Sequence, residues 1–159
     1  MKFVERNKIV NGIVPVSANG GKTGDYVSLK NYNHCTAIVT VGAVAATCHI
    51  HTNRATDVSA TGATSVSLTY YTNANINAWN AEDGTSTDTL TAVTTAANPV
   101  TIAVANSQFI WDFDAIELGD YDCFSVAVSD PSGATLVGLT YILSEPRFSQ
   151  ATPPTGIVD

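Results

Sequence analysis

The sequence predicts an all-β protein, an antiparallel β-sandwich or barrel-like domain of about eight strands. Short segments alternate apolar and polar residues with the period of two that sends neighbouring side chains to opposite faces of a strand. No apolar repeat of helical period is longer than two turns, and many segments are separated by turns rich in Gly, Asn, Asp or Ser. Many short strands without intervening helices are typical of sandwiches and barrels.

The predicted strands run from residue 26 to residue 143. They are residues 26–32, 35–41, 46–52, 66–70, 100–104, 109–113, 123–128 and 136–143. Alternation is clearest where Phe109, Trp111 and Phe113 share one face. Residues 53–65 are compatible with one short helix, although Gly62 disfavours it. The polar, Thr-rich stretch 73–98 predicts a long exposed loop between strands.

These signals divide the chain into an extended N-terminal arm (1–24), a β-sandwich domain (25–148) and a C-terminal tail (149–159). The arm has weak strand signals, with Pro15 and a glycine-rich run at residues 19–24. The tail contains Pro153 and Pro154, which predict an extended rather than a helical conformation. The chain of 159 residues suits a single domain with a substantial core.

The charges are few and unevenly distributed. Charged residues make up 13% of the chain and the net charge is −7. The first thirty residues hold five of the seven basic side chains, namely Lys2, Arg6, Lys8, Lys22 and Lys30. An acidic body argues against nucleic-acid binding, which needs clustered lysine and arginine. No signal peptide and no apolar stretch of membrane-spanning length is present, so we expect no membrane partner and synthesis in the cytoplasm.

Several residue groups suggest ligand-binding chemistry, and each also has a plainer interpretation. Gly21-Lys22-Thr23 resembles the end of a phosphate-binding loop, but Val16 stands where that motif needs glycine, which favours a simple turn. His49 and His51 would lie about 7 Å apart on one strand face. They could share a zinc ion if His34 or a cysteine joined them, or they could simply face solvent.

An acidic cluster and three cysteines complete the candidate groups. The cluster comprises Asp112, Asp114, Glu117, Asp120 and Asp122. It is either surface acid or a calcium site, although it lacks the spacing of an EF-hand loop. The odd number of cysteines, Cys35, Cys48 and Cys123, predicts reduced thiols in the core.

No group of residues has the pattern of an active site. His34 and His49 each adjoin a cysteine in sequence, but neighbouring strand residues point to opposite faces, so neither pair can form a catalytic dyad. We therefore predict no catalytic residues, no metal, no cofactor and no enzymatic activity.

The order of several segments is similar to that of a family of small structural proteins from tailed bacteriophages. The similarity covers the opening Met1–Glu5, then Asp25–Tyr32, Ser67–Tyr71, Phe109–Asp114, Gly119–Phe124 and Tyr141–Phe148. It implies a virion component with no catalytic residues. Among virion roles we favour a capsid decoration, or cement, protein on the head exterior, with the major capsid protein as partner and a homo-oligomer (trimer or dimer) as its form.

Two alternatives remain at this stage, a tail-tube or other tail subunit and a carbohydrate- or receptor-binding module that stacks sugars on Tyr70, Tyr71 and Trp79. For the leading hypothesis the termini are the predicted interface, because segments that stay free in solvent are usually poor in apolar residues. The predicted interface residues are Lys2, Phe3, Val4, Arg6, Lys8, Ile9, Val10, Ile13, Val14, Arg147, Phe148 and Ile157.

Overall fold

The computed structural model describes residues 2–72, 90–93, 98–147 and 155–157. Over these residues 53% of the chain lies in strands and 6% in helix, and every strand pair is antiparallel. The predicted all-β sandwich is confirmed, with twelve described strands rather than eight.

The sandwich consists of two sheets. Sheet A has the spatial order β1-β12-β4-β10-β7-β8, where the strands are β1 (Lys8–Ser17), β4 (Tyr32–Val41), β7 (Tyr70–Thr72), β8 (Thr91–Val93), β10 (Ser107–Asp114) and β12 (Leu136–Pro146). Sheet B has the order β2-β11-β5-β6, with β3 also paired to β11 and β9 to β5. Its strands are β2 (Lys22–Thr23), β3 (Val27–Ser28), β5 (Cys48–Ala55), β6 (Thr64–Ser65), β9 (Val100–Ile102) and β11 (Cys123–Val128). Helix α1 (Phe3–Arg6) precedes β1, and a 3-10 helix (Ala115–Leu118) follows β10.

The core lies between the facing sheets, and aromatic side chains join them. On β10 the residues Phe109, Trp111 and Phe113 are buried in alternation, as the sequence predicts. Phe113 of sheet A contacts Phe124 of sheet B with ring centroids 4.7 Å apart. Tyr141, on β12, accepts a hydrogen bond of 3.1 Å from the backbone N–H of Val126 on β11, so one polar link also crosses the core.

The N-terminal segment corrects the prediction of an arm outside the sandwich. Residues 8–17 form β1, which pairs with β12 from Lys8 opposite Leu143 to Ser17 opposite Leu136. Val10 and Ile13 point inward and are each 7% exposed. Their apolar character therefore serves the chain's own core, and the sandwich begins by residue 8 instead of residue 25.

Four smaller expectations also change. Residues 53–65 form no helix, because β5 continues to Ala55 and a turn leads into β6. Within the predicted strand 26–32, Val27–Ser28 forms β3 with both side chains buried, and Tyr32 is the first residue of β4. At the C-terminus the carbonyl of Gly156 accepts a hydrogen bond of 2.6 Å from the N–H of Ser28, so residue 156 packs on β3. Most of the predicted loop 73–98 lies outside the described residues, and within it residues 91–93 form β8.

Candidate assembly surface

Exposed apolar side chains are concentrated at the N-terminal edge of sheet A. Phe3 and Val4 on α1 are exposed, as are Ile9 and Val14 on β1, the last at 61%. Among the described strands β1 is the edge of the sheet, and β12 is its one neighbour. Pro15 and two irregularities in the register interrupt β1, and such features blunt the pairing of an edge with another strand. The edge therefore offers apolar side chains more than free backbone groups.

The outer face of sheet A continues this apolar surface across four further strands. Thr140 on β12 lies beside Ile38 on β4, which lies beside Ile110 on β10, which lies beside Tyr71 on β7. At the outward positions of β4, β10 and β12 the half-buried isoleucines Ile38, Ile110 and Ile142 lie among polar side chains. We call this face, together with Ile9 and Val14, the sheet A surface.

Two shallow grooves lie at one end of the sheet A surface. One, of about 280 Å³, is lined mainly by apolar atoms of Pro15, Val16, Leu136 and Gly138. The other, of about 320 Å³, lies over the ends of β4 and β10 beside Gln108. Both grooves are bordered by Thr40 and Gly42, so they adjoin each other. They give this end of the face a shape into which side chains of a partner can insert.

The opposite end of the face carries its charged groups. His34 on β4 contacts two carboxylates of β10, with Nδ1 2.8 Å from Asp114 Oδ1 and Nε2 3.0 Å from Asp112 Oδ1. Thr36 donates a hydrogen bond of 2.6 Å to the same Asp112 oxygen. Partial burial opposes protonation of His34, but the hydrogen bonds and negative charges of the two aspartates raise its pKa overall. Partial burial acts to raise the pKa of Asp112, but the hydrogen bonds with Thr36 and His34 outweigh it and the pKa is lowered overall.

An acidic groove of about 650 Å³ lies beyond this end, between β12, the 3-10 helix and the loop before β11. We call it the acidic groove. Its carboxylates are Asp114, Asp120, Asp122 and Glu145, and its one guanidinium is Arg147. Lys30 pairs with Asp122 at 3.7 Å.

Apolar groups complete the acidic groove. The 3-10 helix presents Ile116, which is 84% exposed, and Leu29 and Tyr121 form part of the lining. Arg54 stacks on the ring of Tyr121 with its guanidinium 4.6 Å from the ring centroid, and it donates a hydrogen bond of 2.9 Å to the carbonyl of Leu118. Because Arg54 ties the ring to the 3-10 helix, this wall of the groove is fixed in place.

The predicted interface residues fall into three groups. Lys2, Phe3, Val4, Arg6, Ile9, Val14, Arg147 and Ile157 are exposed, and Lys8 is half-buried. Val10 and Ile13 face the core, so they are not available to a partner, and this part of the prediction is wrong. Phe148 lies outside the described residues. Contact of the exposed group with a partner stays a prediction.

The candidate metal groups do not converge in the described part of the chain. His49 and His51 lie on the outward side of β5, and His49 Nδ1 is 3.4 Å from the Thr101 hydroxyl. No set of three or more His, Cys, Asp or Glu side chains within residues 2–72, 90–93, 98–147 and 155–157 has a metal-binding arrangement. Sequence reasoning placed Asp112 and Asp114 on the solvent face correctly, but it missed their contact with His34.

The three cysteines and the glycine-rich turn before β2 are the next candidates. Cys35, Cys48 and Cys123 are buried and unpaired, as predicted. Gly20 and Gly21 adopt positive φ in the turn before β2. The Lys22 ammonium donates hydrogen bonds to the carbonyls of Asn19 and Gly21, which fits a simple turn.

The predicted sugar-stacking group also changes. Trp79 lies outside the described residues. Tyr70 is buried against Trp111, with ring centroids 5.6 Å apart, so it cannot stack on a sugar. Tyr71 remains exposed. Separately, none of the helices in the described ranges is long and apolar enough to cross a bilayer.

The chain is thus a small antiparallel β-sandwich with an apolar sheet surface and an acidic groove. No family model matches it, and no curated protein matches it. Among solved structures it is similar to the crystal structure of SPBc2 prophage-derived protein YomS. The identity is 14% and the TM-score 0.49, over 87% of this chain and 93% of that one. A similarity of this degree carries no argument about function.

Proposed function

We propose that the protein is a non-enzymatic structural subunit of a tailed-phage virion, a decoration protein that binds the major capsid protein on the outside of the head. The observation that carries the proposal is the sheet A surface, where the exposed Ile9 and Val14 at the edge adjoin a row of half-buried isoleucines. Contiguous apolar patches on a small protein mark sites of association. The similarity of its sequence segments to small tailed-phage structural proteins supports a virion as the place of assembly.

The geometry suggests how such a subunit would hold a capsid. Ile9 and Val14 at the edge would be buried against the capsid protein together with the half-buried side chains Ile38, Ile110 and Ile142. The grooves beside Leu136 would receive side chains from the same partner. Contacts from several copies on one particle add through effective concentration, so each can be weak. Burial of uncharged side chains makes this binding nearly independent of salt.

Binding to particles tests the proposal directly. Particles from a genome that lacks this reading frame are incubated with the native protein or with Ile9→Asp/Val14→Asp, and bound protein is measured after sedimentation. Both positions are exposed, so the variant should fold, which circular dichroism checks. We expect binding at least about tenfold weaker, because charges would be buried without partners. Ser65→Asp, exposed at the edge of sheet B, is the matched control and should bind normally.

The outcome also separates the decoration role from its alternatives. Cryo-electron microscopy of the particles should show density on the head exterior. Density in the tail tube would assign the same surface to a tail subunit and reject the decoration role. Unchanged binding by the double variant would reject the sheet A surface as the interface.

A further inference from the structure

The acidic groove has the chemistry of a site for a basic, partly apolar segment. Four carboxylates face one guanidinium in its lining. Neither Asp120 nor Glu145 forms an ion pair with any described residue, so both carboxylates are available to a partner cation. The exposed side chain of Ile116 adds an apolar surface at the groove, on which an apolar side chain of a partner could pack.

The N-terminal residues of the same chain have the complementary chemistry. Within residues 2–8 the basic side chains Lys2, Arg6 and Lys8 outnumber the single acid, Glu5. None of the three basic side chains is ion-paired with a described residue. Phe3 and Val4 of α1 are both exposed. This segment holds a large share of the few cations in a protein of net charge −7.

We infer that the acidic groove receives residues 2–8 of a second copy of this chain. Lys2 and Arg6 would pair with Asp120 and Glu145, and Phe3 or Val4 would pack on Ile116. In each copy α1 lies beside β1 and β12, whereas the groove is built from the end of β12, the 3-10 helix and the loop before β11. The segment and the groove are therefore different parts of the surface of the chain.

Such a contact is either reciprocal within a two-fold dimer or repeats from copy to copy around a ring or along a chain. It leaves the sheet A surface free for the capsid. Charge complementarity favours a second copy over an unrelated peptide, because the two partners need no other molecule and together reduce the repulsion between acidic bodies. The inference adds the contact between neighbouring copies to the proposed function without depending on it.

Charge reversal tests the contact in solution, without particles. The full chain, Lys2→Glu/Arg6→Glu and Asp120→Lys/Glu145→Lys are compared by sedimentation velocity over a range of concentrations. We expect the native protein to self-associate and each variant alone to associate at least about tenfold more weakly. An equal mixture of the two variants should recover association, since each supplies the charge that the other lacks. Asp25→Lys/Asp130→Lys, exposed and outside the groove, makes the same charge change and should behave as the native chain does.

Salt provides a second readout, because at 1 M ionic strength the screening length falls to about 3 Å and the association should weaken. A native protein that stays monomeric overturns the inference. Association that survives both charge-reversal variants also overturns the inference. Loss with the groove variant but not with the N-terminal variant assigns the groove to a basic segment of another protein and overturns the contact between copies. Because particle binding is measured separately with sheet A variants, failure here and failure of the decoration role are distinguishable.

Discussion

The two faces of sheet A are built from the same strands but differ in what covers them. On β10 the inward residues Phe109, Trp111 and Phe113 are almost fully buried, while the outward residues Gln108 and Ile110 are half-buried. The inner face is filled by side chains of sheet B. The outer face holds Ile38, Ile110 and Ile142 among polar residues, and no described element covers it. Apolar residues of one strand are therefore either buried in the core or left at the surface, according to the face to which they point.

The sharpest test of this comparison is the removal of β1, which contributes to both faces. Deleting residues 2–17 removes Val10 and Ile13 from the core, each worth about 1.5–3 kcal/mol of burial, and leaves β12 as an unprotected edge. We expect an unfolded or aggregated product by circular dichroism. Deleting only residues 2–6, which removes α1, should leave the melting temperature nearly unchanged. A cooperative, native-like melt of the longer deletion would contradict the placement of β1.

A single substitution on β10 compares the faces at adjacent residues. Trp111→Ala should destabilise the protein by about 3–5 kcal/mol in urea unfolding, because it leaves a large cavity in the core. Ile110→Ala, on the outer face, should cost about 1 kcal/mol, as is usual for a point substitution. Equal effects at the two positions would mean that the outer face is covered within the monomer.

The polar link across the core predicts a smaller effect. Tyr141→Phe keeps the ring but leaves the buried N–H of Val126 without its acceptor, which should cost about 1–3 kcal/mol. Thr140→Val, its outward neighbour, should change the unfolding free energy by less than about 0.5 kcal/mol. If Tyr141→Phe were neutral, the hydrogen bond would contribute nothing to joining the sheets.

The smallest predicted effect is at the charged end of the outer face, and it depends on pH. The pKa of His34 is raised in the folded chain, so its contribution is fully present below the ordinary histidine value of about 6.5 and is lost as pH rises through the raised value. The pKa of Asp112 is lowered, so its contribution is present above about 3.9 and is lost as pH falls through the lowered value.

The contact should therefore stabilise most between about pH 4 and 6.5. His34→Gln should lose less than about 1 kcal/mol near pH 5 and much less above pH 8, measured by thermal melts at each pH. His51→Gln removes an imidazole that has no described carboxylate partner and controls for the loss of a histidine. A His34→Gln deficit that grows with pH would contradict the raised pKa.

The sequence predicts the strands well because their signal is local. Alternation at Phe109, Trp111 and Phe113 needs only neighbouring residues, and so does the prediction that Cys48 and Ile50 point away from His49 and His51. The pairing of β1 with β12 is different, because it joins residues more than a hundred positions apart. Local signals therefore predict Val10 and Ile13 as interface residues, whereas the pairing of β1 with β12 places both in the core of the chain itself.

The candidate sites depend on the same long-range information. His34 meets Asp112 and Asp114 only because β4 and β10 are paired in one particular register. No spacing in the sequence indicates that register. The acidic cluster was visible as composition, but its division between the end of the sheet A surface and the acidic groove follows from the bend of the chain at the 3-10 helix.

The three buried cysteines are natural probes for local opening of the two sheets. Cys35 lies in sheet A, while Cys48 and Cys123 lie in sheet B, and all three are almost inaccessible. Burial raises the pKa of both Cys35 and Cys48, which suppresses the reactive thiolate. A thiol reagent can then reach each cysteine only when its own strand opens. The modification rate of each site, followed by mass spectrometry, would report the opening free energy of each sheet separately in an unaltered protein.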